Sequence, residues 1–103
     1  MANRERREES RLQGPIPVYV RGKTETGQVF RTHTLIDNVS QGGLYLQLPY
    51  TVLPGSGLFA YTKLPSGARL AARGCVLRTE SKSHGLSGVA VSFKCTRMFA
   101  NIG

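Results

Sequence analysis

The chain has 103 residues and a formal net charge of +8, and 40% of its residues are hydrophobic. This length allows one domain with its own core and is too short for two ordinary domains. No run approaches the roughly eighteen consecutive apolar residues of a membrane span, and no apolar stretch typical of a signal peptide follows the charged N-terminus. We therefore expect a cytoplasmic protein without a membrane span, whose positive charge favours a phosphate-bearing or polyanionic partner.

Residues 1–13 contain almost no apolar side chains. Because such a segment buries too little surface to offset its ordering entropy, we expect residues 1–13 to be flexible in the free protein and residues 14–103 to form the folded domain. Arg7 and Arg11 are four residues apart, a spacing at which like charges repel each other in a helical turn. An anion between the two side chains would remove that repulsion.

Alternating hydrophobicity predicts the strands of the folded domain. Ile16, Val18 and Val20 alternate with Pro, Tyr and Arg, which indicates a strand with one buried face. Further stretches of β-forming residues are separated by Gly, Pro and Ser turns. The predicted strands cover residues 16–21, 28–36, 44–48, 58–64, 68–78 and 89–93. Six short antiparallel strands without a long helix favour a small all-β barrel, while residues 95–103 are compatible with a short helix or a frayed end.

A polar turn is predicted at residues 37–43, between the second and third strands. Asn38 and Ser40 have short side chains that can bond nearby backbone or an arriving ligand, and Gly42 and Gly43 allow close approach of another group. An ordinary β-turn needs the same residue types, so the turn by itself does not decide between a structural and a functional role.

The sequence does not favour an enzyme or a metalloprotein. His33 and His84 have no accompanying acid pair, nucleophile motif or metal-ligand spacing, and the glycine-rich segments do not follow a nucleotide fingerprint. Cys75 and Cys95 are isolated and are expected to be small buried hydrophobic residues without a chemical role. We predict no catalytic residue, no metal site and no cofactor.

Two short motifs resemble those of the PilZ domain family. An R-x-x-x-R pattern formed by Arg7 and Arg11 precedes the first predicted strand, and an N-x-S-x-x-G pattern formed by Asn38, Ser40 and Gly43 follows the second. The family fills the Asn position with Asp or Asn. The resemblance extends over most of the chain, because residues 88–93 also match the Gly-Val-x-Val-x-Phe-like strand that often ends the family's last hairpin. It implies a six-stranded PilZ barrel.

The resemblance implies binding of the bacterial second messenger cyclic di-GMP, and the chemistry of the motif residues suits that ligand. The guanidinium groups of Arg7 and Arg11 can bond a guanine edge or a phosphate and can stack on a base. Asn38 and Ser40 offer an amide and a hydroxyl for base or phosphate contacts. Gly43 leaves room for a purine against the backbone.

The resemblance also implies a signalling role without catalysis. Arg6 precedes the first motif arginine, and some family members with Arg at that place hold two stacked ligands, so we include Arg6 in the site and favour two ligands per chain. Glu8 and Glu9 add negative charge between the motif arginines, which weakens phosphate capture. Binding is expected to order the N-terminal segment and to change contacts with an unidentified downstream protein.

Two alternatives stay open at this stage. A small basic barrel could instead bind RNA or single-stranded DNA, with stacking faces supplied by Tyr19, Phe30, Tyr45, Phe59 and Tyr61. We weigh nucleic acid below cyclic di-GMP because both motifs are present. A PilZ-like adaptor that has lost its ligand and acts only through protein contacts is the other alternative.

Overall fold

The computed structural model describes residues 12–99, which form a closed antiparallel barrel of six strands with one short 3₁₀-helix at Ser83–Gly85. The strands are β1 Leu12–Lys23, β2 Val29–Val39, β3 Gly43–Leu48, β4 Gly57–Lys63, β5 Arg69–Ser81 and β6 Ser87–Phe99. Around the barrel they follow the order β1-β2-β3-β6-β5-β4, and β4 pairs back onto β1. The predicted six-stranded all-β barrel is confirmed. No helix in this part of the chain is long and apolar enough to cross a membrane.

The barrel interior is filled by the alternating aliphatic residues that the sequence indicated. In β1, Ile16, Val18 and Val20 are buried while Arg21 is exposed, because successive strand residues point to opposite faces. Each buried aliphatic side chain contributes about 1.5–3 kcal/mol relative to an exposed one. The largest fully buried side chains are Val20, Ile36, Leu46, Leu48, Val52, Val76 and Val89.

The turn between β2 and β3 is shorter than the sequence predicted. We expected a turn over residues 37–43, but β2 continues to Val39 and β3 begins at Gly43. The physical reason is that Asn38 is paired on both sides, with Gln13 of β1 and with Tyr45 of β3. Near Asp37 the register is irregular in the pairing with β1 and also in the pairing with β3, and this irregularity allows β2 to continue to Val39. Residues 40–42 alone connect β2 to β3.

The possible helix at the C-terminal end is wrong for residues 95–99. These residues extend β6, and their partners in β5 run from Arg73, opposite Cys95, to Arg69, opposite Phe99. The backbone groups of β5 need partners along their whole length in a closed barrel, and β6 supplies them. Cys95, expected to be buried, is exposed on this extension of β6, and Cys75 is half-buried. Residues 100–103 lie outside the described range.

The two ends of the barrel differ. At one end the connection from β3 to β4, residues 49–56, crosses the opening: Val52 is buried, and the ring of Tyr50 stacks on Phe30 with centroids 4.4 Å apart. The turn between β2 and β3 lies at the opposite end, which is also where β1 begins. The start of β1 and the polar turn are therefore at the same end.

Candidate functional site

The short turn from Ser40 to Gly43 is fixed by backbone hydrogen bonds. The Ser40 amide donates to the Gly43 carbonyl oxygen at 2.8 Å, and the Phe93 amide of β6 donates to the Gly42 carbonyl oxygen at 2.9 Å. The Ser40 hydroxyl lies 3.5 Å from the Gly43 carbonyl oxygen, which is long for an O–H···O bond. The turn is held by its backbone, so the hydroxyl of Ser40 remains available for another acceptor or donor.

Gly43 is required by the packing of the sheet. A Cβ atom at this position would stand far inside 3.0 Å from the carbonyl oxygen of Val91 on β6, a distance that real Cβ atoms do not show. Gly42 has open space around its Cα instead. The sequence analysis assigned Gly43 to ligand contact, and the structure adds a second reason for glycine there, the close approach of β3 and β6.

A cleft of about 530 Å³ lies beside this turn, on the outer surface of β3, β6 and β5. Its size falls within the range of about 300–1,000 Å³ found for small-molecule sites. The cleft brings together Asn38, Ser40 and Gly43 from the predicted motif. Its other lining residues are Gly42, Leu44, Tyr45, Leu77, Arg78, Glu80, Lys82, Ala90, Val91 and Ser92.

The wall facing the turn carries a polar cluster around Tyr45. The Tyr45 hydroxyl donates to Oε2 of Glu80 at 2.7 Å, and Lys82 Nζ lies 5.7 Å from the centroid of the Tyr45 ring. Partial burial and the bond to Glu80 raise the pKa of Tyr45, while the same bond and the charge of Lys82 lower the pKa of Glu80. Glu80 is thereby held as a carboxylate that accepts from Tyr45.

The charges of this cleft favour an anionic ligand. Arg78 and Lys82 both line it, and Glu80, the one carboxylate among the described residues that line it, accepts a hydrogen bond from Tyr45. Amide, hydroxyl and cationic groups suit a molecule with phosphates and hydrogen-bonding base edges. Among the residues that the structure describes, no group of three or more His, Cys, Asp and Glu side chains could hold a metal ion.

The start of β1 runs beside the polar turn. Leu12 is opposite Val39, and Gln13 is opposite Asn38, across the β1–β2 pairing. The other predicted site residues, Arg6, Arg7 and Arg11, lie outside residues 12–99. The predicted division into residues 1–13 and residues 14–103 remains a prediction, although β1 begins at Leu12, two residues before the expected start of the barrel.

The second wall of the cleft, formed by Tyr45, Arg78, Glu80 and Lys82, was not predicted from the sequence. Tyr45 was considered only as a stacking ring for nucleic acid, and Arg78 and Lys82 only as part of a general positive charge. Arg78, Glu80 and Lys82 recur every second residue, the spacing that places side chains on one face of an extended chain. That pattern could have identified a charged strand face, but its proximity to Asn38 depends on the β3–β6–β5 pairing.

These features define a small closed β-barrel with a cleft on one side. The chain belongs to the PilZ domain family, whose family model matches residues 5–98. This match includes both the R-x-x-x-R and the N-x-S-x-x-G patterns. PilZ domains are binding domains rather than enzymes; the family binds cyclic di-GMP and interacts with partner proteins.

The fold has a counterpart among solved structures. The barrel resembles the Bacillus subtilis inhibitor of motility, MotI/DgrA, with a TM-score of 0.65 and 17% sequence identity. The likeness covers 85% of this chain and 42% of that protein's chain, so it concerns a part of the larger protein. At this identity the comparison supports the fold alone. No curated protein sequence matches the chain.

Proposed function

We propose that this chain is a receptor for cyclic di-GMP, which it binds in the cleft beside Ser40 and reports to a separate partner protein. In this proposal the N-terminal arginines contact the dinucleotide on one side, and Asn38, Ser40 and Gly43 contact it on the other. The proposal rests on membership of the PilZ family and on one observation, the register of β1 against β2.

The register of β1 against β2 supports the proposal because it limits how far Arg7 and Arg11 can lie from the turn beside Val39. Leu12 is opposite Val39, and Arg11 is bonded directly to Leu12. Arg7 is five residues before Leu12, and a chain spans at most about 3.3–3.6 Å per residue, so its backbone can reach roughly 17 Å from Leu12. The two motifs are far apart in sequence, but the β1–β2 pairing keeps them within reach of one ligand.

The chemistry of the cleft supports a dinucleotide with two phosphates. Arg78 and Lys82 offer positive charge on the wall opposite the turn, in addition to the guanidinium groups of the N-terminal segment. Ser40 has a hydroxyl that is only weakly engaged at 3.5 Å. Asn38 is half-buried at the edge of the cleft and has both donor and acceptor groups for a guanine edge.

We further propose that binding orders the N-terminal segment over the cleft and so changes the surface available to a partner. Neutralisation of Arg7 and Arg11 by ligand phosphates would offset the entropy lost on ordering. Arg6 would serve a second, stacked ligand. The barrel itself, closed by pairing around its whole circumference, is expected to change little.

The aromatic residues give less support to a nucleic-acid-binding barrel. Phe30 is buried and stacked on Tyr50, the guanidinium of Arg21 lies 5.0 Å from the ring centroid of Phe59, and the rings of Tyr19 and His33 contact each other with centroids 5.4 Å apart. Base stacking needs exposed ring faces. The rings of Phe30, Phe59 and Tyr19 each have a neighbour against them, whereas Tyr61 is 38% exposed, so fewer stacking faces are open than the sequence indicated.

Calorimetric titration tests the proposal. Wild-type protein is titrated with cyclic di-GMP, with GMP and GTP as ligand controls, and the same titration is repeated with Arg7→Ala, Arg11→Ala and Ser40→Ala. Arg4→Ala is the matched variant, since it removes one arginine from the same segment but outside the motif. We expect binding by the wild type and by Arg4→Ala, and its loss in Arg7→Ala and Arg11→Ala with an unchanged thermal melt.

The outcomes separate the three readings. Ser40→Ala should weaken binding by about 1.5–3 kcal/mol, the value of a hydrogen bond to a charged group. Unchanged affinity for cyclic di-GMP in both Arg7→Ala and Arg11→Ala would contradict the proposed contacts of these arginines with the ligand. Absence of heat from folded wild type would favour the adaptor without ligand. Binding of an oligonucleotide that falls steeply with salt and does not need Arg7 or Arg11 would favour the nucleic-acid barrel.

A further inference from the structure

A second surface of the barrel is strongly basic. We name it the basic face; it comprises the outward side chains of residues 17–23, 29–35, 57–63 and 69–75, on the neighbouring strands β1, β2, β4 and β5. Cross-strand pairing aligns Arg31 with Arg21, Arg21 with Phe59, and Phe59 with Arg73. The strands are about 4.8 Å apart, so three arginines and one aromatic ring form a continuous row across the sheet. The basic face also includes Lys23, Lys63 and Arg69.

The basic face contains cations in positions that cost stability. Arg21 and Arg31 are direct cross-strand partners, as are Lys63 and Arg69. Like charges directly opposite each other in a sheet repel. The stretches 17–23, 29–35, 57–63 and 69–75 contain no Asp or Glu that could relieve this repulsion. Two such pairs on one face indicate that an external anion meets this surface.

An apolar cleft opens within the basic face. It measures about 550 Å³ and is lined by Val29, Leu58 and Phe59, with Arg21 and Arg73 also at its wall. Val29 is 59% exposed, which is high for a β-branched aliphatic residue in a strand. An apolar floor surrounded by cations is complementary to a ligand that carries an apolar side chain between negative charges.

We infer that the basic face docks an acidic segment of a partner protein, with carboxylates against the arginine row and one apolar side chain in the cleft beside Val29. A nucleic acid fits this surface less well, because Arg21 covers the ring face of Phe59 on which a base would stack. A purely ionic partner would leave the apolar cleft unfilled. An acidic peptide with an apolar anchor matches both the exposed arginines and the apolar cleft.

The basic face is separate from the proposed cyclic di-GMP cleft. In the barrel order β1-β2-β3-β6-β5-β4, β1 is three places from β6 and β4 is three places from β3. The nucleotide cleft lies on β3, β6 and the part of β5 from Leu77 onward, while the arginine row crosses β2, β1 and β4 and reaches β5 at Arg73, so the two surfaces share no residue. The inference therefore does not rest on the proposed function, and both ligands can be bound at the same time.

Fluorescence anisotropy with a defined probe tests this inference. The probe is a fluorescein-labelled peptide with three glutamates on each side of a central leucine, and a peptide with serine in place of leucine is its control. The test variant is Arg21→Glu with Arg73→Glu. Its matched control is Arg78→Glu with Lys82→Glu, which makes the same charge change in the cleft beside Ser40, outside the basic face. Circular dichroism checks the fold, and Arg21→Gln with Arg73→Gln is the second variant should charge reversal prevent folding.

We expect the wild type to bind the leucine peptide and the test variant to bind it about tenfold more weakly or worse, while the matched control retains most of the affinity. Equal losses in both double variants would overturn the inference, because they would show diffuse attraction. The inference would also fail if the serine peptide bound as tightly as the leucine peptide, or if the wild type bound neither peptide at millimolar concentration. Tighter binding of an oligothymidylate than of either peptide at the arginine row would overturn it as well. Cyclic di-GMP titration of the test variant, expected to match wild type, separates this failure from failure of the proposed function.

Discussion

Gly43 of β3 packs directly against the carbonyl oxygen of Val91 on β6. The pairing of these two strands forms the floor of the cleft, and the absence of a side chain at Gly43 allows their close approach. A backbone oxygen in a paired strand cannot move aside as the end of a flexible side chain can. The geometry of the candidate site therefore depends on this one glycine.

Gly43→Ala is expected to destabilise the barrel, because the new methyl group must displace the backbone of β6. Overpacking of this kind costs about 1–3 kcal/mol, and for a domain of this size each kcal/mol lowers Tm by roughly 4–8 °C. Thermal unfolding followed by circular dichroism measures the change. Gly42→Ala is the matched control, since nothing lies within 4 Å of its added Cβ. Equal melting temperatures for the two variants would contradict the assigned role of Gly43.

Tyr45→Phe is expected to reduce stability in a pH-dependent way. The hydrogen bond from Tyr45 lowers the pKa of Glu80 from 4.5. The stability that this bond contributes is therefore present above pH 4.5 and is lost as pH falls through the lowered pKa. Partial burial and the hydrogen bond with Glu80 raise the pKa of Tyr45 from 10.0. On this side the stability is present below pH 10.0 and is lost as pH rises through the raised pKa. The difference in Tm between wild type and variant should be largest between these limits. A difference that is the same at every pH would argue against the bond.

Gly88→Ala is expected to disturb the same cluster from β6. A Cβ at position 88 would overlap the hydroxyl and ring of Tyr45 and the Cε of Lys82, which are side-chain atoms that can move. The cost should be smaller than that of Gly43→Ala, and it should fall further in the Tyr45→Phe background because the hydroxyl is gone. A double-mutant cycle measures this coupling, expected at about 0.5–3 kcal/mol. Additive effects would show that Gly88 and Tyr45 act independently.

Lys63→Glu is expected to stabilise the barrel. Lys63 is the direct cross-strand partner of Arg69, so the substitution replaces a repulsive pair by an attractive one, with a gain of about 0.2–1 kcal/mol. The gain should shrink at high salt. Lys94→Glu makes the same charge change where the β5–β6 register is irregular and no partner is opposite, so it should gain less. Chemical denaturation at two salt concentrations compares the variants, and equal gains would point to net charge instead of the pair.

The sequence was informative wherever a local pattern has one physical meaning. Alternation of Ile16, Val18 and Val20 required one buried strand face, and the repeated turn residues separated six such strands, so an antiparallel barrel followed. Boundaries were less certain, because pairing partners determine them. β6 extends to Phe99 since β5 lies beside it, and β2 includes Asn38 since β1 and β3 bond it from both sides.

The sequence by itself determined the fold class, the family resemblance and the motif residues Asn38, Ser40 and Gly43, because side-chain period and turn chemistry are local properties of the chain. Only the tertiary structure decided which distant residues share a surface. Strand order and register bring Arg78 and Lys82 to the cleft beside Ser40 and place Arg21 and Arg73 on either side of Phe59 in the basic face. Those contacts depend on pairing between strands far apart in sequence, and no local pattern encodes that pairing.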